Sequence, residues 1–311
     1  MTHGRDIKSQ PRAAEQELEH LLIAIDHQVS VTSVEYTEAK DRLRVLSSAL
    51  SKEFGSRVYV NGSIAHGDAL SPLNDVDLGV ILREPWATNE RRHSPSRIMK
   101  HTCEVIETLA SAHYPGLSAD FTDQKRAVVV NFGSDTKKQH YEFTADVIVA
   151  LDNTEDVGVF IPNLQRNTWD RSDPIKHSEI IRQANFATNS SFNAVVRIAK
   201  QWNRKVEQPL SSWNIKALAL SCILRPTPLL EGVHSFFRYA RDTLSHGLTP
   251  DPAGIGPPIG LERQKDEVLA CLDDACKVLD RAITDAASGN FPESRKSIQG
   301  LLLTPQIPMS S

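Results

Sequence analysis

Residues 57–82 read RVYVNGSIAHGDALSPLNDVDLGVIL. Two stretches rich in apolar and β-branched residues, RVYVNGSI and DVDLGVIL, read as strands. Gly62-Ser63 ends the first, and Asp75 and Asp77, with Val76 between them, open the second. Aspartate is a poor strand former, and alternate residues of a strand share a face. A chain with this segment must therefore hold two carboxylates side by side while Val76 points into a core. Two carboxylates so placed repel each other unless protons or cations offset their charge.

The periodicity on either side sorts the chain into two halves. From Arg12 to Phe54 the pattern is helical: Leu18, Leu21, Leu22 and Ile25 share one face, and Leu43, Val45, Leu46 and Leu50 continue after a polar break near SVTS. Gly55 is a helix stop. PSRIMKHTCEVIETLASAHY is a helix with Pro95 in its first turn. KRAVVVNF and YEFTADVIVAL are two more strands, joined by the polar turn GSDTKKQH. Short connections imply a mixed or antiparallel sheet. After about Asn163 the chain reads as almost wholly helical, with helices expected over 174–188, 190–206, 211–225, 229–246, 261–287 and 292–303. LTPDPAGIGPPIG interrupts them with prolines and glycines that exclude regular structure.

The expected organisation is α+β: a loose N-terminus (1–11), an α/β lobe with a long N-terminal helix (12–165), a helical lobe (166–303) and a mobile tail (304–311). A cleft between the lobes is where a ligand is expected. The 311 residues suffice for such a pair of lobes. A net charge of −4 excludes a broadly basic nucleic-acid coat. Cys103, Cys222, Cys271 and Cys276 form no CxxC pair, so buried reduced thiols and a cytoplasmic location are expected. The opening MTHGRDIKSQPRAAEQ has no apolar core, so no signal peptide is expected. No apolar run is long enough to cross a bilayer.

The acids suggest a chemistry. Hard carboxylate oxygens suit Mg²⁺, which keeps coordination places open for phosphate oxygens. In a two-metal site the ions stand about 4 Å apart and clamp the entering and leaving oxygens of a phosphoryl transfer. Gly62 lets backbone approach a ligand, and Ser63 offers a hydroxyl and an N–H to phosphate, the more so if a short helix begins there. A third carboxylate is expected, and Asp146 stands as a single acid inside an apolar strand. Glu142 shares its parity, and Asp152 at the strand's end is a weaker choice. A lone Asp-x-Asp on a strand is most often a solvated face. The ordered set of strand, Gly-Ser, loop, Asp-x-Asp strand and later acid is more specific.

That ordered set resembles the nucleotidyltransferase superfamily that includes DNA polymerase β, with Gly62, Ser63, Asp75, Asp77 and Asp146 at the positions of its motif. NTWDRSDPIKHSEIIRQAN and NAVVRIAKQWNRKVEQPLSSWNIKALAL look like the bacterial cGAS/DncV-like nucleotidyltransferases. The resemblance covers roughly residues 40–300. It implies a polymerase β-like sheet lobe joined to a helical lobe, and two Mg²⁺ ions (or Mn²⁺ in their place) on Asp75, Asp77 and Asp146. It also implies that Lys200 and Ser212 hold a donor triphosphate, with Trp213 stacked on its base. On composition alone Lys200 reads as a surface lysine and Trp213 as core.

The activity so implied joins nucleoside triphosphates, as donor and acceptor, into a cyclic di- or trinucleotide. The product would be a second messenger read by a separate effector in anti-phage defence. Transfer to tRNA, a small molecule or a protein is the alternative, and a non-catalytic nucleotide-binding relative is the third reading. Three departures stand out. Asp68 follows Gly67 where relatives commonly have Thr. DPAGIGPPIG resembles the Asp-Pro turn of oligoadenylate synthases but lacks the asparagine often seen after it. No cysteine-rich zinc insertion is present, so activation by nucleic acid is not supported. Of the remaining marked residues, His66 is expected to bond to its loop, with orienting a phosphate as the alternative. Trp169, Asp173 and Pro174 are expected to shape a turn between lobes. Arg197, Arg204 and Lys205 read as a basic rim or a solvated helix face.

Overall fold

The structure, a computed structural model, describes residues 10–55, 57–82, 94–133 and 143–303. Most of the expected loose N-terminus, the whole C-terminal tail, nearly all of the GSDTKKQH turn and Glu142 lie outside the described residues. The chain divides into two compact units. One comprises residues 31–180 with 253–256, and the other residues 1–30, 181–252 and 257–311.

The first unit is built on a mixed sheet. Its path runs β1 (Arg57–Asn61), β2 (Asp75–Leu82), β5 (Thr144–Asp152), β4 (Val128–Asn131) and β3 (Ser118–Asp120). A further hairpin of β6 (Val159–Asn163) and β7 (Thr168–Ser172) pairs with the end of β5. Only β2 and β5 run parallel. The alternation of β2 explains its packing. Val76, Leu78, Val80 and Leu82, with Ala145, Val147, Val149 and Leu151 of β5, face α2 (Ser33–Phe54) and α4 (Pro95–Ala110) in one core. That face supplies Ala39, Leu43, Leu46 and Leu50 from α2 and Ile98, Met99 and Ile106 from α4. The odd positions of β2, the two aspartates included, fall on the other face. There Gly79 lies opposite Tyr59 of β1, whose ring would meet any Cβ at 2.1 Å.

Two side chains of α2 hold the segments that lead into the two central strands. Glu35 completes a capping box with Thr32. Its other carboxylate oxygen accepts from Ser71 Oγ (3.0 Å) and Leu73 N–H (2.9 Å), just ahead of β2. Arg42 donates to the Phe143 carbonyl at 2.8 Å, just ahead of β5, and its guanidinium lies over the rings of Phe132 and Phe143. These leading segments also bond to each other, Thr144 N–H to Asn74 O at 3.1 Å.

The second unit is helical: α1 (Gln10–Val29), α6 (Ser191–Lys205), α7 (Ser212–Cys222), α8 (Leu229–His246), α9 (Lys265–Ala287) and α10 (Phe291–Leu302). The division between units falls inside α5 (Pro174–Ala187). Leu18, Leu21, Leu22 and Ile25 of α1 are buried in this unit, and Arg197 of α6 grips Asp26 with two bonds of 2.7 Å. The Glu19 carboxylate accepts from Leu229 and Leu230 N–H at 2.7 and 2.8 Å, capping α8, whose own N-cap Pro228 has no side-chain bond to give. Trp202 and Phe237 meet edge to face at its centre, 4.9 Å apart.

Four expectations change. The break expected near SVTS falls where Thr32 caps α2, but α1 belongs to the helical unit and not to the α/β lobe: its apolar stripe is covered by α6, α8 and α9. Residues 10 and 11, expected to be loose, begin α1. The chain is not helical directly after Asn163, because Thr168–Ser172 pairs with β6. Cys222 and Cys271 are half-buried, where Cys103 and Cys276 are buried; all four thiols are free. Among the described residues no helix is long and apolar enough to cross a membrane.

Candidate active site

The parallel register of β2 and β5 sets Asp77 beside Asp146, as it sets Asp75 beside Thr144. Neighbours in register on adjacent strands project from the same face. Asp75, Asp77 and Asp146 therefore share the face opposite the helical layer. Asp75 is exposed at the strand's first position, while Asp77 and Asp146 are half-buried. Burial, with the charges of Asp77 and Asp75, pushes the Asp146 carboxyl up to about 7. Asp152 lies six residues further along β5, roughly 20 Å away, and takes no part.

Gly62 stands directly against Asp77 of this group, and Ser63 follows it in the chain. β1 pairs with β2 so that Asn61 lies opposite Asp77. The chain then turns at once into α3 (Gly62–His66), one short helix ending at Gly67. Gly62 has a φ of +67°, and a Cβ on it would fall 1.6 Å from Asp77 Oδ2. Glycine is needed here twice over, for its left-handed backbone and for the space the carboxylate fills. Asp68, the departure after Gly67, is fully buried, and its N–H donates to Ser63 O. His66, expected to bond to its own loop, instead reaches Ser178 of α5 at 2.9 Å. Asp173 caps α5 by accepting from Lys176 N–H at 2.9 Å, and Trp169 lies in β7.

The other expected residues stand in the helical unit. Lys200 is half-buried on α6. Ser212 and Trp213 open α7, capped by the Ser211 hydroxyl. The proline-rich loop is pinned to the same helix end: Asn214 is buried, accepts from Thr249 Oγ1 at 2.6 Å and donates to Gly260 O. Arg197 is no basic rim, since its guanidinium is committed to Asp26. Sequence reasoning passed over Lys216, four residues after Ser212 and so on the same helix face. Its side chain is buried at 4% exposure, unusual for lysine. The sign available in the sequence was its place inside the apolar run IKALAL.

The acids fit hard cations by their chemistry. They are oxygen donors on one face, and one of them is held above the carboxylate range by burial and its neighbours' negative charge. Among the described residues no three acidic, histidine or cysteine side chains are gathered into a ready-made metal cage. The strands set Asp77 and Asp146 in register, with Asp75 two positions before Asp77 on the same face.

No family model matches the chain, and no curated protein matches it in sequence. Solved structures do. A chain of the E. coli MS115-1 CdnC:HORMA-deltaN complex matches with a TM-score of 0.69 at 18% identity, over 93% of this chain and 100% of that one. Bradyrhizobium diazoefficiens CD-NTase CdnG in complex with GTP gives 0.65 at 11% identity, over 91% and 98%. Elizabethkingia meningoseptica CdnE cyclic dinucleotide synthase with GTP and Apcpp gives 0.63 at 15%, over 84% and 98%. The chain has the fold of the bacterial cGAS/DncV-like nucleotidyltransferases, as its motifs led one to expect.

Proposed function

We propose that this chain, which has the fold of the cGAS/DncV-like nucleotidyltransferases, is a divalent-metal-dependent nucleotidyltransferase. It joins nucleoside triphosphates into a cyclic di- or trinucleotide and releases pyrophosphate. One observation carries the reading: Asp77 and Asp146 stand in register on parallel strands, with Asp75 on their face and the Gly62 turn packed on Asp77. The CdnE neighbour is a cyclic dinucleotide synthase with GTP and Apcpp, and the CdnG neighbour binds GTP, which supports nucleoside triphosphates as substrates.

Asp75, Asp77 and Asp146 would hold two Mg²⁺ ions, or Mn²⁺. Such ions, when bound, supply the positive charge that a transferring phosphoryl group and its departing pyrophosphate require. Asp146 would also draw the proton of an acceptor ribose hydroxyl. The α3 turn gives the phosphates access to backbone N–H groups and the Ser63 hydroxyl. Lys200 and Ser212 hold the donor triphosphate, and Trp213 stacks on its base. A second transfer within the linear product closes the ring. The product acts in the cytoplasm as a messenger to a separate effector in anti-phage defence. CdnC forms a complex with HORMA-deltaN, which supports a regulatory protein partner here.

The test is incubation with mixed labelled triphosphates and Mg²⁺, followed by phosphatase and mass spectrometry. The wild type should yield a small phosphatase-resistant product, and Asp75→Ala/Asp77→Ala should yield none. A product that survives the double substitution sinks the mechanism, and label on RNA or protein instead sinks the cyclic product.

A further inference from the structure

The turn that carries Ser63 is short. α3 is five residues long, far below what an isolated helix needs to persist. The glycines at its two ends, Gly62 and Gly67, both have left-handed backbone, φ 67° and 73°. Its N-cap residue Asn61 makes no side-chain bond to the helix it precedes, and Ile64 is its one buried side chain.

Besides packing on β1 and β2, the turn has hydrogen-bond partners in α5. Ser178 Oγ lies 3.1 Å from Asn61 Oδ1 and 2.9 Å from His66 Nε2, so a single hydroxyl reaches both ends of α3. It also lies 3.0 Å from the Pro174 carbonyl. A serine hydroxyl has one proton, and Asn61 Oδ1 and Pro174 O are both acceptors. That proton serves one of them at a time, and the serine oxygen can accept from His66 when Nε2 carries the ring proton. Asn61 in turn lies opposite Asp77, and Gly62 lies against the Asp77 carboxylate. The line of contact runs from α5 through both ends of α3 to the acids.

We propose that Ser178 is a positioning residue for the Gly62-Ser63 turn, its hydroxyl fixing the orientation of α3 beside Asp77. The inference rests on the reading of α3 as the phosphate-facing turn of a nucleotidyltransferase. Its placement can be tested without that activity.

The experiment is hydrogen exchange by mass spectrometry on the full chain, with steady-state kinetics on the same variants. Ser178→Ala should speed exchange across residues 61–67 about tenfold, the factor set by losing one or two net hydrogen bonds. Exchange in α2 and α9 should stay unchanged, and Ser178→Thr, which keeps a hydroxyl, should restore protection. Unchanged exchange over 61–67 in Ser178→Ala overturns the proposal. Should Ser178→Ala lose its thermal transition, His66→Phe removes the donor at one end only and should speed exchange over 65–67; no change there overturns it equally. In Ser178→Ala the KM for triphosphate should rise about fivefold with kcat nearly constant, and a fall confined to kcat rules the positioning role out. A wild type that forms no nucleotide product overturns the proposed function alone, and the exchange result still decides Ser178.

Discussion

The α-carbon of Gly62 packs on the carboxylate of Asp77: a methyl group there would lie 1.6 Å from Oδ2 and 2.3 Å from Cγ. The turn that would receive phosphate and the acid that would hold metal are thus one piece of structure.

Gly62→Ala should therefore act on the site more than on the fold. The left-handed φ of +67° makes alanine unfavourable by about 1 kcal/mol, a loss visible as a small drop in melting temperature. The displaced Asp77 carboxylate should lower product formation about a hundredfold, the usual effect of roughly 1 Å of misplacement. Activity within a few-fold of wild type would show that the carboxylate position is not critical.

Asp146→Asn should abolish product formation while stabilising the metal-free protein. Burial and the charges of Asp77 and Asp75 raise this carboxyl to about 7. The folded state therefore binds a proton that the unfolded chain releases near 4. The neutral acid's contribution is full below about 4 and is lost as pH rises through about 7. In chelator, thermal melts at pH 8 should favour the variant, and the gap should close as pH falls towards 4. Added Mg²⁺ should raise the melting temperature of the wild type only. A variant less stable than wild type at pH 8 without metal would contradict the charge argument.

Glu35→Gln tests the anchoring of β2. Burial works against the Glu35 charge, but bonds from Thr32 N–H, Leu73 N–H and the hydroxyls of Thr32 and Ser71 outweigh it and hold the carboxyl below the usual glutamate range. The stability it contributes is present above that range and is lost as pH falls through the depressed value. Denaturant unfolding at pH 7 should show a loss of about 2 kcal/mol, as for charge-assisted hydrogen bonds. The difference should narrow in acid, where the wild type loses the same interactions. A pH-independent difference would mean that shape and not charge matters here.

Trp213→Ala should raise the KM for triphosphate about tenfold, within the 1–3 kcal/mol range of base stacking, and Trp213→Phe should recover most of the loss. A variant with unchanged KM but lowered melting temperature would place this side chain in the packing of α7 and not against a base.

Local pattern alone determined much of this molecule. DVDLGVIL forms β2 residue for residue, and the helices after Asp173 fall within a few positions of their expected bounds. A period of two or of 3.6 is carried by the segment itself. Asp146 was legible for the same reason, as a lone acid on an apolar strand, and the left-handed Gly55 falls where a helix stop was expected. The strands β3 and β7, short and largely polar, carry no such period and exist because β4 and β6 pair with them. Tertiary structure also decided which unit would cover the apolar stripe of α1, since such a stripe specifies burial but not a partner. It alone gave Glu35, Arg42 and Ser178 their tasks, through contacts across 36, 101 and 117 positions of chain. Periodicity is local to each segment, whereas hydrogen bonds over such separations exist only once the sheet and helices have packed.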